Sequence, residues 1–231
     1  MIQTFSPNIL ENLYIQLKTR LDSSLEEIGL SDYFTSDSYT WSNNVYHSPA
    51  IRYGHLEYFK GGSDKVEVVH CVLFPNYYKG IPIFGFDVIQ LSGKITGVFC
   101  DYTPSPFGAT ELQNQIKQVY EDTKEFQRIL PEWAEFFSKN FISLSPDESS
   151  YLSIEEKCVG LLEGYLSFCA KKEFDGHYLD KEDTLKHIQG QNKYSLNQRL
   201  NTKTQKALAK YVGIDKAKNF IDTALFPTFK A

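Results

Sequence analysis

The chain contains 231 residues, a length that fits one domain spanning residues 1–231 and is sufficient to bury about 70% of the unfolded surface. Its formal net charge of −5 argues against nucleic acid as a partner, because affinity for a phosphate backbone comes from clustered Lys and Arg. Aromatic residues make up 15% of the composition, which supplies flat apolar surface for a core or for a planar ligand.

The cysteines and the apolar runs indicate the cellular location. The four cysteines show no Cys-x-x-Cys spacing and lie in apolar runs, as buried free thiols in a reducing compartment do. No run approaches the ~18 apolar residues of a membrane helix, and the N-terminus does not resemble an export signal. We therefore expect a cytoplasmic monomer with no membrane partner.

The first predicted element is an amphipathic helix. Ser6-Pro7 resembles an N-cap followed by proline at the first helical position. Apolar residues then recur at helical spacing from Ile9 to Ile28. The helix is expected to end by Gly29.

From residue 39 to residue 102 the apolar period becomes that of strands. Short turn sequences rich in Gly, Asn and Ser separate four β-rich runs, at residues 53–59, 66–74, 83–91 and 94–102. Short turns between consecutive strands predict an antiparallel meander.

The remaining chain is predicted to be mostly helical. Helical patterns cover residues 109–137, then a stretch capped by Ser145-Pro146-Asp147 and extending to about residue 172, and finally residues 180–226. Breaks are expected at Gly190 and Gly213, and residues 141–144 form a possible edge strand. This order predicts an α+β fold in which helices cover both faces of an antiparallel sheet.

Three ionisable residues are unusual for a buried sheet: Glu57, His70 and Asp87. A carboxylate in an apolar strand is usually salt-bridged, exposed on one face or functional, because its unpaired burial costs several kcal/mol. A lone His in an apolar run is more often a hydrogen-bonded core residue than a catalyst. If the strands of His70 and Asp87 are neighbours, both side chains can meet on one face and share a proton.

Other common chemistries find little support in the sequence. There is no His-Glu-x-x-His motif and no pair of cysteines at zinc-ligand spacing, so no metal is expected. A phosphate-binding loop and a dinucleotide fingerprint are also missing, so no bound nicotinamide or flavin is indicated. A hairpin turn explains Gly61-Gly62.

Three strand segments, taken in order, resemble the core signature of the ferredoxin-dependent bilin reductases, in particular the phycocyanobilin:ferredoxin oxidoreductase branch. These segments are His55-Leu56-Glu57, residues 70–75 and residues 82–87. Two further regions are similar to the family: Pro131-Glu132-Trp133 with Phe137-Ser138, and residues 198–204 with Leu225-Phe226. Together the segments cover most of the chain after about residue 45.

The resemblance implies a three-layer α/β/α sandwich that holds biliverdin between the sheet and the C-terminal helices, without a bound metal or flavin. It implies four-electron reduction of biliverdin IXα through radical intermediates, with a ferredoxin as the external electron donor. Asp87 would be the central proton donor, His70 its hydrogen-bonded partner, and Glu57 a proton donor near the D-ring vinyl group. The implied substrate contacts are His55, Asn201 and Lys203, of which Lys203 could meet a propionate.

Two departures from the family pattern bear on the product. The spacing from Glu57 to His70 is one residue longer than in the phycocyanobilin branch, and Thr202 stands where the family commonly has an acid. If the turn at residues 61–65 does not absorb the extra residue, Glu57 moves to the other face of the sheet. A displaced Glu57 narrowly favours phycoerythrobilin, as made by some phage-type relatives, over phycocyanobilin.

A local basic run contrasts with the acidic net charge and contains only one acidic residue, Asp215. Its members are Arg199, Lys203, Lys206, Lys210, Lys216 and Lys218. Plant-type ferredoxins are acidic, so this face could attract one, although a solvated helix face is an equally good explanation.

Two other classes of protein remain open. A bilin-binding or carrier protein without turnover would keep an aromatic pocket but would need no buried acid. An unrelated α+β interaction domain would use His70 and Asp87 only structurally and would bind no bilin.

Overall fold

Residues 8–29, 36–62, 65–103, 107, 109–130 and 132–229 are described by the computed structural model, without the side chains of residues 132 and 133. Within these ranges, seven strands form one antiparallel sheet whose spatial order follows the chain. The strands are β1 (Glu26–Glu27), β2 (Tyr39–His47), β3 (Ile51–Gly61), β4 (Val66–Pro75), β5 (Ile83–Leu91), β6 (Lys94–Thr103) and β7 (Ile142–Leu144). The sheet is therefore a meander, as the short turns predict.

Helices precede the sheet, lie between β6 and β7, and follow β7 in the chain. They are α1 (Ile9–Asp22), α2 (Thr110–Asp122), α3 (Tyr151–Phe174), α4 (Lys181–Arg199), α5 (Thr202–Val212) and α6 (Ile214–Phe220). A π-helical turn, Ile221–Leu225, continues directly from α6. Such single π-helical turns are frequent at functional sites.

The first helical layer, α1 to α3, packs on one face of the sheet in the larger of two hydrophobic clusters. From α1 this cluster takes Leu10, Leu13, Leu17 and Leu21, which recur at helical spacing and have no exposed surface. All four cysteines are buried and free, as predicted. This face is the main core of the fold.

The second helical layer, α4 to α6, covers the opposite face and forms a cluster rich in aromatic side chains. Its rings include Trp41, Phe59 and Phe74 from the sheet and Tyr194, Phe220 and Phe226 from the C-terminal part. Helices on both faces of one antiparallel sheet confirm the predicted α+β sandwich. No helix within the described ranges is long and apolar enough to cross a membrane.

The predicted strands are confirmed at β3 to β6 and at the edge strand β7. Strand β2 was not among the predicted runs, because Asn43 and Asn44 interrupt its apolar pattern. Both amides have partners in the fold: Asn43 Oδ1 lies 3.0 Å from the His55 ring, and Asn44 Oδ1 accepts a hydrogen bond from Tyr14. These hydrogen bonds accommodate two polar residues in β2, where alternating apolar and polar residues would otherwise identify a strand.

Two predicted helix ends are wrong. Helix α1 ends at Asp22 rather than near Gly29, because Ser23 Oγ donates back to a carbonyl of the last turn and the chain then forms β1. Helix α2 ends at Asp122, well before the end of its predicted range, because the Thr123 hydroxyl donates in the same way. Hydroxyl side chains that bond the local backbone commonly end helices like this.

The predicted break at Gly190 is also wrong, because α4 continues through it to Arg199. The chain breaks instead before α5, where Asn201 Oδ1 caps the new helix. The break at Gly213 is confirmed, since its φ of 83° is a left-handed conformation that glycine adopts without strain. Ser6-Pro7 and Pro131 lie outside the described residues.

Leu13→Ala is expected to lower the free energy of unfolding by about 2–5 kcal/mol, because it leaves a cavity at a fully buried position between α1 and the sheet. Ile15→Ala on the same helix is the matched control, because Ile15 is 53% exposed and its loss should cost less than about 0.5 kcal/mol. Urea unfolding followed by circular dichroism measures both values. Equal losses would contradict the burial of the Leu13 side of α1.

Candidate active site

The three ionisable residues of the strand block lie side by side on one face of the sheet. Glu57 on β3 pairs with His70 on β4, and His70 pairs with Asp87 on β5. Paired residues in an antiparallel sheet point to the same face, with Cβ atoms about 4.5–5.5 Å apart. We call these three residues the ionisable row. The row faces the aromatic layer, since the His70 ring contacts Phe226.

His70 and Asp87 form a short hydrogen bond. His70 Nδ1 and Asp87 Oδ1 are 2.6 Å apart, a separation typical of a charge-assisted bond. Burial alone would lower the pKa of His70, but the charge and the hydrogen bond of Asp87 raise it above its ordinary value. The side chain of His70 is 7% exposed and that of Asp87 is 34% exposed. The pair can hold a shared proton that reaches solvent on the Asp87 side.

Glu57 is a buried acid held by an indole. Trp41 Nε1 donates to Glu57 Oε1 at 2.6 Å, and Glu57 is 4% exposed. Burial raises the pKa of Glu57 to about 7, even though His70 and the Trp41 hydrogen bond lower it. A carboxyl with this pKa is partly protonated at neutral pH and can act as a general acid.

The extra residue between Glu57 and His70 is absorbed in the β3–β4 turn. The ladder between these strands continues without a shift up to the pairing of Gly61 with Val66. Glu57 therefore remains on the same face as His70. The displacement of Glu57, which was the reason for favouring phycoerythrobilin, does not occur.

His55 lies two residues before Glu57 and has no exposed surface. Its Nε2 is 3.0 Å from Asn43 Oδ1, which can only accept, so Nε2 carries the ring proton. Burial, with a further contribution from His70, lowers the pKa of His55 well below its ordinary value. The ring is therefore neutral, and its Nδ1 presents a lone pair.

Several polar atoms on this face are buried without a hydrogen-bond partner in the described part of the chain. They include His55 Nδ1, His70 Nε2 and Asn43 Nδ2. An unpaired buried polar atom costs about 1–3 kcal/mol, so such atoms usually find a partner in the functional state. An acceptor on His55 and donors on Asn43 and on protonated His70 suit a ligand with both N–H and C=O groups.

Aromatic rings from the C-terminal part pack over the row. The ring centroid of Phe220 lies 5.8 Å from that of His55 and 4.5 Å from that of Trp41. The ring of Phe226 lies 5.6 Å from that of His70. We call residues 220–229 the cover.

Hydrogen bonds from α4 fasten the main chain of the cover. Arg199 donates to the carbonyls of Asp222 and Phe226, and Ser195 Oγ donates to the carbonyl of Pro227. Further along α4, the Asn192 amide both donates to and accepts from the main chain of Phe229. The cover is therefore attached to α4 through its backbone, whereas its rings make packing contacts with the sheet, such as that of Phe226 with His70.

Neither of two surface cavities in the described part of the chain lies over the row. One of about 370 Å³ is lined by α1 and α3, next to Arg20 and Glu155. The other, of about 80 Å³, borders Lys79 and Tyr178. His55 and His70 are buried beneath Phe220 and Phe226, so a planar ligand that contacts these two imidazole rings must displace rings of the cover.

The structure shows no contact between the ionisable row and the two predicted C-terminal contacts, Asn201 and Lys203, within the described ranges. Asn201 caps α5 by accepting from the main-chain N–H of Lys203 at 3.2 Å, and the Lys203 side chain is exposed. Their role as substrate contacts stays a prediction.

The predicted basic run is divided by the fold. Lys203, Lys206 and Lys210 are exposed on one face of α5. Arg199 instead points towards the cover and forms an ion pair with Asp222, to which Lys218 also binds. The lysines of α5 therefore form an exposed group on a different element from Arg199 and Lys218.

Four side chains of this face were not singled out from the sequence: Trp41, Asn43, Asp101 and Tyr194. Asp101 on β6 is 2% exposed and pairs with Gly85, two residues before Asp87. Its occurrence as a carboxylate in an apolar strand is the same signal that identified Asp87. No comparable sequence signal marks the other three.

A family model described as "Ferredoxin-dependent bilin reductase" matches residues 13–227. The chain belongs to the ferredoxin-dependent bilin reductases. It is therefore an oxidoreductase that uses ferredoxin as an external electron donor. In the described residues, no group of three or more His, Cys, Asp or Glu side chains is arranged to hold a metal ion.

Curated relatives of this bilin reductase include phycocyanobilin:ferredoxin oxidoreductases of cyanobacteria. That of Trichodesmium erythraeum is 29% identical over 192 residues, covering 80% of this chain and 75% of the relative. That of Prochlorococcus marinus is 29% identical over 189 residues, covering 80% and 74%.

Two solved structures share the fold of this bilin reductase. PcyX has a TM-score of 0.65 at 23% identity, covering 96% of this chain and 99% of its own. Tomato phytochromobilin synthase in complex with biliverdin has a TM-score of 0.75 at 17% identity, covering 95% and 82%.

Asp87→Asn is expected to bring the pKa of His70 below its ordinary value of 6.5, because burial then outweighs the remaining attraction. The protonated imidazole would be lost at a lower pH than in the unchanged protein. Glu57→Gln should lower the same pKa by less, because Glu57 makes the smallest contribution that raises it. NMR titration of the His70 ring measures both effects. An unchanged His70 pKa in Asp87→Asn would contradict the pairing.

Proposed function

We propose that this bilin reductase carries out the four-electron reduction of biliverdin IXα to a phytobilin between the ionisable row and the cover. The observation that carries the proposal is the row itself, with its unpaired polar neighbours on a buried sheet face. The surrounding aromatic rings suit a planar conjugated substrate. Biliverdin in the solved tomato relative supports the same substrate class.

Proton supply is the chemistry that the row offers. Ferredoxin delivers one electron at a time, so the reduction passes through radical intermediates. An added electron makes a conjugated tetrapyrrole more basic, and a positioned acid then protonates it. The His70–Asp87 pair is the proposed donor, because the pKa of His70 is raised and its unpartnered Nε2 can direct a proton towards the substrate side.

The neighbouring side chains have distinct proposed roles. The neutral His55 accepts a hydrogen bond from a substrate N–H through Nδ1. Glu57 is a second acid on the same face. Asn201 and Lys203 remain proposed substrate contacts at the start of α5, with Lys203 meeting a propionate. The rings of the cover exclude water and so protect the radical.

The exposed lysines of α5 are the proposed contact surface for ferredoxin. Lys203, Lys206 and Lys210 present three positive charges on a protein whose net charge is −5. Such a local patch can attract an acidic partner and orient it before contact. Electron transfer would then take place next to the cover rather than on the far face of the sheet.

Asp87→Asn is expected to bind biliverdin but to lower the turnover rate by about 10²–10⁴-fold, because it removes a proton donor. Anaerobic absorbance spectra before and after addition of reduced ferredoxin measure binding and turnover separately. In the unchanged protein, the bilin spectrum should shift on binding and then evolve to a new pigment.

A static spectrum in the unchanged protein would instead favour a bilin carrier. If no spectral shift occurs on mixing, the proposed substrate is wrong. Glu155→Gln is a matched control for Asp87→Asn, since Glu155 is a buried carboxyl on α3, away from the row.

Two features bear on the product. Thr202 stands in place of an acid that is common in the family and can serve as a second proton donor, so it can alter which double bond is reduced. The position of Glu57 beside His70 favours phycocyanobilin, because an acid remains available for a vinyl group at this end of the row. Phycoerythrobilin and phycocyanobilin both remain proposed products, since the displacement of Glu57 that narrowly favours phycoerythrobilin does not occur.

Thr202→Asp is expected to change the ratio of phycoerythrobilin to phycocyanobilin, because it restores a proton donor that can act on a different double bond. Chromatography of the extracted pigment measures the ratio. Thr204→Asp adds the same charge two residues later in α5 and serves as the control. A product ratio that is the same in Thr202→Asp and in the unchanged protein would contradict the role given to Thr202.

A further inference from the structure

Asp101 places a third carboxyl on this face, next to the two of the ionisable row. It lies on β6 directly opposite Gly85, and Asp87 is two residues further along β5 on the same face. Diagonal neighbours of this kind are about 7–8 Å apart in an antiparallel pair. No step of the proposed reaction has yet used this carboxyl.

One oxygen of Asp101 is anchored and the other is not. Asp101 Oδ2 accepts hydrogen bonds from the main-chain N–H of Ser138 at 3.0 Å and from the Thr103 hydroxyl at 3.2 Å. Asp101 Oδ1 is buried and has no partner within the described ranges. Burial raises the pKa of Asp101 to about 6, so it can bind a proton close to neutral pH.

The hydroxyl of Tyr194 lies against Gly85, the residue that pairs with Asp101 and stands two positions before Asp87. Gly85 leaves a gap in the face of the sheet, and Tyr194 Oη from α4 lies 3.1 Å from the position that a Cβ on Gly85 would take. This oxygen accepts a hydrogen bond from Gln198 at 2.9 Å, so its own proton remains to be donated elsewhere. Because Gly85 pairs with Asp101 and lies two residues before Asp87 on the same face, this gap brings the hydroxyl near both carboxyl groups. Burial raises the pKa of Tyr194, and the charges of Asp87 and Asp101 raise it further.

The proposed reaction, on which this inference rests, needs more protons than the row can store. Four electrons added to biliverdin require four protons, whereas Glu57, His70 and Asp87 can together hold at most three at one time. The exposed part of Asp87 lies on the substrate face, so a bound tetrapyrrole would cover it. The pair then needs a supply of protons from within the protein.

We propose that Asp101 returns protons to the His70–Asp87 pair through the hydroxyl of Tyr194. Tyr194 gives its hydroxyl proton to the Asp87 carboxylate and takes one from the Asp101 carboxyl, so Tyr194 ends neutral and Asp101 ends as a carboxylate. No electrons move in this step. Asp101 then takes up a proton from solvent by way of Thr103, whose side chain is partly exposed.

Few titratable groups lie close enough to Asp101 to influence the pH dependence of this proton transfer. The titratable groups that face Asp101 are Asp87 from β5, with His70 behind it on β4, and Tyr194 from α4. Thr103 and Ser138 supply only hydrogen bonds. Protonated Asp101 becomes scarce as the pH rises above its pKa, so proton return should slow over that interval.

Asp101→Asn and Tyr194→Phe test the proposal in the full-length protein. The asparagine keeps an oxygen to accept from Ser138 and Thr103, and the phenylalanine keeps the ring, but neither passes a proton on. We expect both variants to bind biliverdin within about 2-fold of the unchanged protein. Rapid-mixing absorbance with reduced ferredoxin should show a normal first protonation, followed by radical decay slowed about 10-fold or more.

Three further readouts separate proton transfer from a structural role. The double variant should be no slower than the slower single variant, because both lie on one route. In the unchanged protein, the rate of radical decay should fall as the pH rises through the pKa of Asp101. This fall should be missing in Asp101→Asn. Small acids such as imidazole buffer should partly restore the rate. Glu155→Gln, the control on the far face of the sheet, should leave every step unchanged.

Several outcomes would overturn the proposal. One such outcome is radical decay in Asp101→Asn at the rate of the unchanged protein. Another is slow decay in Asp101→Asn together with a normal rate in Tyr194→Phe. Either result would mean that Asp101 only holds the main chain of Ser138. If Asp101→Asn does not fold, normal decay in Tyr194→Phe is enough to reject the route. Failure of the proposed function looks different, because the unchanged protein would then form no new pigment at all.

Discussion

The backbone register of β3, β4 and β5 is the constraint on which the site depends. Main-chain hydrogen bonds between the strands align the three residues of the row. The direct side-chain bond between His70 and Asp87 covers only part of that row. A slip of one residue in either pairing would turn part of the row towards the apolar face beneath α1 to α3, where charged groups have no partners. The core on that face therefore stabilises the register, and through it the chemistry on the other face.

Burial acts on each member of this face in a different way. It favours the neutral form of Glu57 and of His55, which makes the first a weak acid and the second an acceptor. His70 differs because Asp87 lies within hydrogen-bond distance, and their attraction outweighs the loss of water. One apolar environment on strands β3 to β5 thus provides a neutral acid, a neutral hydrogen-bond acceptor and the His70–Asp87 pair.

Much of the fold follows from simple patterns in the sequence, because alternating apolar residues and short turns predict consecutive strands. The same reasoning placed His70 and Asp87 on one face. It could not place Asp101, because the two-residue turn between β5 and β6 would by itself pair Asp101 with Phe84 on the core face. A bulge at Thr96 shifts the register between Ile89 and Gln90 and turns Asp101 towards the row. The position of Asn201 likewise depends on a helix cap that the sequence pattern did not locate.

The attachment of the cover has a consequence for how the protein is made. The sheet and the first helical layer are complete by Phe174, before α4 to α6 are synthesised. Because chains begin to fold from the N-terminus during synthesis, the larger core can form while the ionisable row is still in contact with water. Side chains of α4 close the site last, through hydrogen bonds to the main chain of residues 222–229. Entry of a ligand can therefore reverse the final step of folding and leave the earlier steps intact.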